Sequence, residues 1–297
     1  MTMTKLKIAL FGNVYQTQKN IYVAEVLEKL KSIHCDLFIE KEFASFIQES
    51  LHIDTSCFKD TEGEDFHADY AISMGGDGTF LNTAAKIGRK GIPILGINTG
   101  RLGFLADVSP NMIDSAIEAL GKGECSTEQR SLIAVEVERE GKPLTTYPYA
   151  LNEVAVLKHD NSSLIEVDTY VNGDLLTNYM ADGLIVCTPT GSTGYSLSVG
   201  GPIIEPRSNT FCISAVAPHS LSMRPVILCD NAKITLEVHS RSHNFLVSID
   251  GRSDSFPEGT RLTLRKAPYT IGVVKVKHKL FTDILRDKMM WGVDQRL

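Results

Sequence analysis

Near residue 126 the hydrophobic pattern of the chain changes its period, and this constrains the fold more than any other feature. Before that point, short continuous apolar runs alternate with segments of helical spacing. "LKIALFG", "DLFIE", "YAISM" and "IPILGIN" read as strands. Apolar runs without alternation are what strands buried on both faces look like. Between them, "NIYVAEVLEKLKSIH" places Ile21, Val23, Val26, Leu27, Leu30 and Ile33 near helical spacing, and "TFLNTAAKIG" and "NMIDSAIEALGKG" read as further helices. This alternation predicts an α/β N-terminal domain over residues 1–125 with an open, mostly parallel sheet.

Beyond residue 126 the period is two. Ile133, Val135 and Val137 alternate with Ala134, Glu136 and Glu138, and Ile165, Val167, Thr169 and Val171 alternate with Glu166, Asp168 and Tyr170. "VNGDLL" supplies an Asn-Gly hairpin turn. Ile234, Leu236 and Val238 repeat the pattern, as do Phe245, Val247 and Ile249. "HSRSH" between them reads as a hairpin turn rather than as a metal pair of His239 and His243. Residues 126–278 are therefore predicted to form an all-β C-terminal domain, an antiparallel β-sandwich. Residues 279–297 contain "LFTDILRDKMMWG", a helix expected to pack back on the first domain. A length of 297 residues favours two domains over one core.

In an open α/β sheet, ligands bind beyond the carboxyl ends of the strands. The strand "YAISM" ends there in "GGDGT", with a helix expected from about Thr79. Glycines permit φ > 0 and close approach of a ligand to the backbone, and free N–H groups opening a helix suit phosphate. Gly75, Gly76, Gly78 and Thr79 are read as a phosphate-cradling loop on that basis. The loop is neither a Walker A motif nor GxGxxG. A carboxylate in such a place repels phosphate unless it has another task. Asp77 can hold Mg²⁺ or take a proton from an attacking hydroxyl; the plainer alternative is an Asp that only shapes the turn.

Four further stretches carry polar chemistry. "ALNEVAVLK" presents Asn152 and Glu153, an amide and a carboxylate suited to a ribose diol, although such a dipeptide at a strand edge is usually just solvated. "YMADGLIVCTPTGSTGYSLSVGGPIIEP" places Asp182 before a buried strand and then crowds hydroxyls and glycines into one loop, with Tyr195 able to stack on a flat ring. "INTGRLGFLAD" is a second glycine-rich exit from a strand, with Phe104 either lining a crevice or packed. "APHSLSMRP" is a third polar loop, whose Arg224 either pairs with an anion or is a surface charge.

Composition excludes several function classes. A net charge of −6 gives no electrostatic footprint for nucleic acid or an anionic membrane. No apolar stretch reaches bilayer length, and "KIALF" reads as a first strand rather than a signal-peptide core, so the expected location is the cytoplasm. None of the six cysteines forms a CxxC pair, and Cys187 and Cys212 sit in apolar runs as small core residues.

Taken together, "GGDGTFL", "NTGRLGFL", "NEV", "DGLIVCTPTGSTGYSLSVGGPI", "PHSLSMRP" and "LRDKMMWG" resemble, in order and over nearly the whole chain, the NAD kinase family. "GGDG" alone is shared with diacylglycerol kinases and 6-phosphofructokinases; "TPTGSTGYS" downstream of Asn-Glu is what distinguishes NAD kinases. The resemblance implies transfer of the γ-phosphate of ATP to the 2′-hydroxyl of the adenosine ribose of NAD, giving NADP. It also implies a divalent cation, typically Mg²⁺, and a homodimer or homotetramer. Carried over residue by residue, it makes Asp77 the proton acceptor, with Gly78 beside the nucleotide. Asn152 and Glu153 would hold the adenosine part, and Asp182 would lie at the nicotinamide end. Thr193, Gly194, Tyr195, Ser196, Leu197 and Ser198 would contact the dinucleotide, joined by Ala217 and, less directly, Phe104. Gly194 stands where the family often has Ala. The metal ligands are not indicated by any motif. Two rival readings are a lipid kinase of the diacylglycerol type, for which the chain has neither a basic amphipathic helix nor a lipidation signal, and a catalytically weak NAD-binding regulator, which the presence of Asp77 disfavours.

Overall fold

Five parallel strands organise the N-terminal part of the chain. In order along the sequence come β1 (Lys7–Gly12), α1 (Asn20–Ser32), β2 (Asp36–Ile39), α2 (Lys41–Leu51), β3 (Lys59–Asp60), β4 (Tyr70–Gly75), α3 (Asp77–Ile87), β5 (Ile94–Asn98) and α4 (Ile113–Lys122). The computed structural model describes residues 5–14, 20–61, 66–100, 103–138, 144, 147–160, 163–276 and 281–292. The strands lie in the order β5-β4-β1-β2-β3, and every neighbouring pair is parallel. Alternate residues of a strand face opposite sides of a sheet. On one side Ile8, Leu10, Ile72, Met74, Leu95 and Ile97 form one core with Val26 and Leu30 of α1, Phe43 and Ile47 of α2, and Ile117 and Leu120 of α4. On the other, α3 lays Phe80 against Gly96, and Thr83 Oγ1 donates to Ser73 Oγ at 3.0 Å. With both faces covered, the central strands β1, β4 and β5 are buried along nearly their whole length, as the runs predicted, whereas the edge strand β3 is exposed. Helix α2 was not among the expected elements. Its "KEFASFIQESL" buries only Phe43, Phe46 and Ile47, and the Glu40 carboxylate caps it by accepting from Phe43 N–H at 2.9 Å.

The central residues form two antiparallel layers. Their elements are β6 (Ser126–Glu138), β7 (Tyr149–Ala150), β8 (Glu153–Lys158), β9 (Ile165–Val171), β10 (Asp174–Ala181), β11 (Gly183–Cys187), α5 (Tyr195–Ser198), β12 (Thr210–Val216), β13 (Val226–Cys229), β14 (Ile234–Ser240), β15 (Asn244–Ile249), β16 (Arg252–Pro257) and β17 (Arg261–Lys275). One layer runs β10-β9-β14-β17, with β6 against β17 and β7; the other runs β13-β12-β11-β8-β15-β16. Their inner faces share one core, including Ile133, Val154, Val156, Val167, Leu184, Phe211, Leu236, Phe245, Phe256 and Leu262. Each such side chain contributes about 1.5–3 kcal/mol on burial. The expected sandwich is present. At the Asn-Gly turn joining β9 and β10, Asn172 and Gly173 both have positive φ, 55° and 98°. "HSRSH", by contrast, is not a hairpin: β14 pairs with β9 and β17, whereas β15 pairs with β8 and β16, so the turn is a corner between the two layers. Period two alone does not distinguish the two arrangements.

By internal contacts the chain divides into Met1–Gln129 with Ile271–Leu297, and Arg130–Thr270. The end of β17 belongs to the first group because Val273 pairs in parallel with Ile94 of β5. Helix α6 (Phe281–Met289) belongs there too, with Lys288 donating to the Gly103 carbonyl.

Candidate active site

In the first unit the sequence expectation centres on Asp77, the first residue of α3. Its side chain does not cap its own helix. Oδ2 accepts from Phe104 N–H at 2.8 Å, and Oδ1 accepts from Leu105 N–H at 3.0 Å and Ala106 N–H at 3.1 Å. A carboxylate has about four acceptor positions, so three are filled by backbone and one remains, on Oδ2. The loop after β5 thus aims the carboxylate. Gly103 allows this, because a Cβ there would stand 2.1 Å from Asp77 Oδ1. We expect Gly103→Ala to push the carboxylate off its three donors and to lower turnover about as far as removing the carboxylate. Steady-state kinetics beside a thermal melt checks this.

Of the predicted phosphate-cradling residues, Gly75 ends β4, and a Cβ on it would collide with Thr79 Oγ1 at 2.2 Å. Gly76 and Gly78 do not have the left-handed φ expected of them, and a Cβ on either would meet nothing within 4 Å. Packing therefore does not require these two glycines. What they leave is open space at the start of α3, and the N-terminus of a helix favours an anion through its N–H groups and dipole.

The second unit holds another constellation. Asp250, 3% exposed, repeats the Asp77 pattern: its carboxylate accepts from Leu151 N–H at 2.7 Å, Asn152 N–H at 2.8 Å and Glu153 N–H at 3.1 Å. The Asn152 carbonyl accepts from Thr188 N–H at 2.9 Å, and Thr188 Oγ1 donates to the Leu151 carbonyl at 2.6 Å. A Cβ on Gly191 would lie 2.1 Å from that Asn152 carbonyl oxygen, so only glycine permits the loop to close over the turn. Tyr195 N–H reaches Glu153 Oε2 at 3.4 Å. The Asn152 amide oxygen is buried without a partner among the described residues. Burial, and then the Asp250 charge, push the Glu153 carboxyl up to about 7, with the Tyr195 N–H pulling the other way.

The loop after β11 is not a free surface segment. Thr190–Thr193 form a 3₁₀ turn and Tyr195–Ser198 a single helical turn. The Ser196 hydroxyl is fully buried and faces Ser214 Oγ at 3.3 Å. Thr193 Oγ1 contacts the Thr190 carbonyl at 3.4 Å, and Ser198 Oγ donates to the Tyr195 carbonyl at 2.8 Å. These hydroxyls build the loop, which leaves backbone groups and the exposed Tyr195 ring for a ligand. Leu197 is half-buried. Asp182 pairs with Lys158 Nζ at 2.7 Å and sits beside Ala217, since Asp182 N–H donates to the Val216 carbonyl. Ala217 itself is exposed, with a φ of 45°. Arg224 turns back on its own loop, donating to the Leu221 and Met223 carbonyls. His239 and His243 both face Glu258, and no group of three or more His, Cys, Asp or Glu among the described residues could hold a metal ion.

The N-terminal domain of ATP-NAD kinases matches residues 8–125, and the C-terminal domain of the same enzymes matches residues 151–276. The chain belongs to the ATP-NAD kinase family. It is 51% identical over 292 residues to the NAD kinase of Bacteroides fragilis strain YCH46, covering 98% of this chain and 100% of that protein. It is 42% identical over 290 residues to the NAD kinase of Porphyromonas gingivalis strain ATCC 33277, covering 98% and 99% of the two chains. Among solved structures it is similar to a yeast NADH kinase complexed with NADH, with a TM-score of 0.88 and 20% identity, covering 100% of this chain and 91% of that one. It is also similar to an NAD kinase from Archaeoglobus fulgidus in complex with ATP, with a TM-score of 0.71 and 26% identity, covering 96% and 98%.

Two residues that shape these constellations, one in each unit, are not indicated by the motifs. Asp250 stands in "SIDGR", which reads as a hairpin turn and is one: Asp250 and Gly251 have φ of 48° and 81° between β15 and β16. Nothing local shows that its carboxylate turns inward onto a segment about a hundred residues away. Gly103 lay inside a quoted motif, but its reason for being glycine is a contact with Asp77.

Proposed function

We propose that the chain transfers the γ-phosphate of ATP to the 2′-hydroxyl of the adenosine ribose of NAD, giving NADP, with Asp77 as proton acceptor. The observation that carries this is the Asp77 carboxylate, aimed by three backbone N–H groups and left with one acceptor position, at the start of a helix where Gly76 and Gly78 leave open space. A ribose hydroxyl is a poor nucleophile at neutral pH, and a carboxylate within hydrogen-bond reach takes its proton as it attacks phosphorus. The remaining task is alignment and neutralisation of charge on the transferred group. Asn152 and Glu153 hold the adenosine ribose, a role supported by the unpartnered Asn152 amide oxygen. Tyr195 stacks on a ring of the dinucleotide, and Asp182 with Ala217 takes its nicotinamide end.

Mg²⁺ arrives on the phosphates of ATP in this reading. The chain offers no cluster among its described residues that would hold the ion by itself, and nucleotide-borne Mg²⁺ needs only one or two protein carboxylates. When bound, it neutralises phosphate charge. The protein works in the cytoplasm as a homodimer or homotetramer, a state supported by the exposed Leu175, Leu176 and Met180 on the edge strand β10. No helix among the described residues is long and apolar enough to cross a membrane.

The direct test mixes purified protein with NAD, ATP and Mg²⁺ and reads NADP with an NADP-specific dehydrogenase. NADP that forms with wild type and not with Asp77→Asn supports the reaction and the residue together. No NADP from any combination of NAD or NADH with ATP or polyphosphate overturns the reading.

Glu153 adds a pH dependence with a definite sign. Its carboxyl, ordinarily near 4.5, is pushed up to about 7, so the folded chain holds that proton more tightly than the unfolded chain. The resulting stabilisation, about 3 kcal/mol at most, is complete below about pH 4.5 and is lost as pH rises through about 7. Thermal melts between pH 5 and 8 should fall more steeply for wild type than for Glu153→Gln. Hydroxyl donors of a bound ribose favour the ionised form, so the KM for NAD should rise as pH falls below about 7, and Glu153→Gln should flatten that rise.

A further inference from the structure

No apolar residue of helix α6 is fully buried. Its most enclosed side chain is polar: that of Lys288 is 5% exposed. Lys288 Nζ donates to the Gly103 carbonyl, lies 3.0 Å from Asp107 Oδ1, and sits 5.6 Å from the centre of the Phe104 ring. Asp107 receives a second ammonium, Lys275 Nζ at 3.2 Å. Between these anchors, the N–H groups of Phe104, Leu105 and Ala106 all converge on Asp77. Residues 103–107 lie outside any helix or strand, and the loop rejoins β5 only at Val108, whose N–H donates to the Gly96 carbonyl and whose carbonyl accepts from Asn98 N–H. Before that point the groups that satisfy its polar atoms help to set its conformation. Cations hold its first carbonyl and its last side chain; one anion holds the three N–H groups in the middle.

The electrostatics agree. Burial opposes ionisation of Asp107, but the Lys275 and Lys288 charges outweigh it and hold that carboxyl below its usual range. Burial pulls the Lys288 ammonium down; Asp107 and, more weakly, Asp77 oppose that shift, while Lys275 adds to it. Lys288 therefore sits within electrostatic reach of the carboxylate that the loop aims.

We propose that Lys288 is a positioning residue for phosphoryl transfer, acting through Gly103 and Asp107 to fix the loop that aims the Asp77 carboxylate. This rests on the reading of Asp77 as proton acceptor. The C-terminal helix then serves as a clasp on the site, although none of its side chains need touch a substrate.

The test compares Lys288→Met, which keeps most of the apolar stem, with Lys288→Arg, which keeps the charge. Turnover is normalised to NAD-binding sites counted by calorimetry, and amide hydrogen exchange is followed at Phe104, Leu105 and Ala106. Lys288→Met should lose between about tenfold and 10²-fold in kcat, the range expected of a misplaced catalytic group, with the KM for NAD within about twofold of wild type. Exchange at the three amides should be faster, and Lys288→Arg should restore most of both. If Lys288→Met does not fold well enough to assay, Asp107→Asn, which breaks the same contact from the other side, is read by the same two measures. Unchanged kcat, or lost kcat without faster exchange at those amides, overturns the proposal. Asp77→Asn separates the two ideas. Full turnover in that variant removes the site reading itself, whereas a dead Asp77→Asn beside a fully active Lys288→Met removes only the role of Lys288.

Discussion

Asp77→Asn should lower kcat by on the order of 10²–10⁴-fold, the range expected for loss of a general base. The geometry makes this variant more informative than a simple deletion of charge. The wild-type carboxylate accepts three backbone N–H groups through two oxygens. An asparagine keeps one of those oxygens and turns an NH₂ group towards donors it cannot satisfy. Part of the loss will therefore come from a loosened loop at residues 103–106. The two contributions separate by amide hydrogen exchange at Phe104, Leu105 and Ala106: a loosened loop exchanges faster there, whereas loss of a base alone leaves exchange unchanged. NAD binding, measured by calorimetry, should survive in the variant. Turnover near wild type would end the assignment of Asp77 to the chemistry.

What the sequence made legible, and what it did not, follows from the range of the interactions. The two periods reported the two architectures because each strand or helix carries its own burial pattern: β5 is buried at all five positions, whereas β9 alternates. The strand-to-helix turn at Asp77 was legible for the same reason, as was the Asn172–Gly173 turn. The corner at 241–243 was misread as a hairpin because strand pairing is a non-local choice between partners of equal pattern. Helix α2 was overlooked because only three of its residues are buried. Within the site, the glycines and hydroxyls were visible as types but not by task. Ser196 looks like a ligand contact and is buried against Ser214, while Gly103 looks like loop flexibility and makes room for a carboxylate. The ties from Asp77 to 104–106, from Asp250 to 151–153 and from Lys288 to Gly103 and Asp107 span long stretches of chain, and no local pattern encodes them.

Asp250 carries the second large expectation. Removing it by Asp250→Ala leaves three N–H groups at Leu151, Asn152 and Glu153 without their shared acceptor. It also leaves the Arg252 guanidinium, 3.9 Å away, without the nearest carboxylate. Hydrogen bonds to a charged group contribute about 1.5–3 kcal/mol each when measured singly, and do not add fully. A loss of about 3–5 kcal/mol is expected, on the scale of breaking a buried charge pair, enough to leave little folded protein if the domain is ordinarily stable. Asp250→Asn is the more discriminating variant, because it keeps the shape and one acceptor. Its NAD affinity should fall by about 10–100-fold, since the turn carrying Asn152 and Glu153 loses its fixed position, while kcat at saturating NAD should change much less. A second consequence concerns the Glu153 carboxyl. Burial is the larger cause of the high Glu153 pKa and the Asp250 charge the next, and the other groups coupled to this cluster are the Tyr195 N–H, the Cys187 thiol across the strand pair and the Arg252 guanidinium. Neutralising Asp250 should therefore move the acidic rise in the KM for NAD to lower pH, the same direction in which any added hydration of Glu153 would move it. If Asp250→Asn binds NAD as tightly as wild type and keeps the same pH profile, the buried carboxylate is only the anchor of a turn, and the ordering of Asn152 and Glu153 must come from the loop closed over them at Gly191.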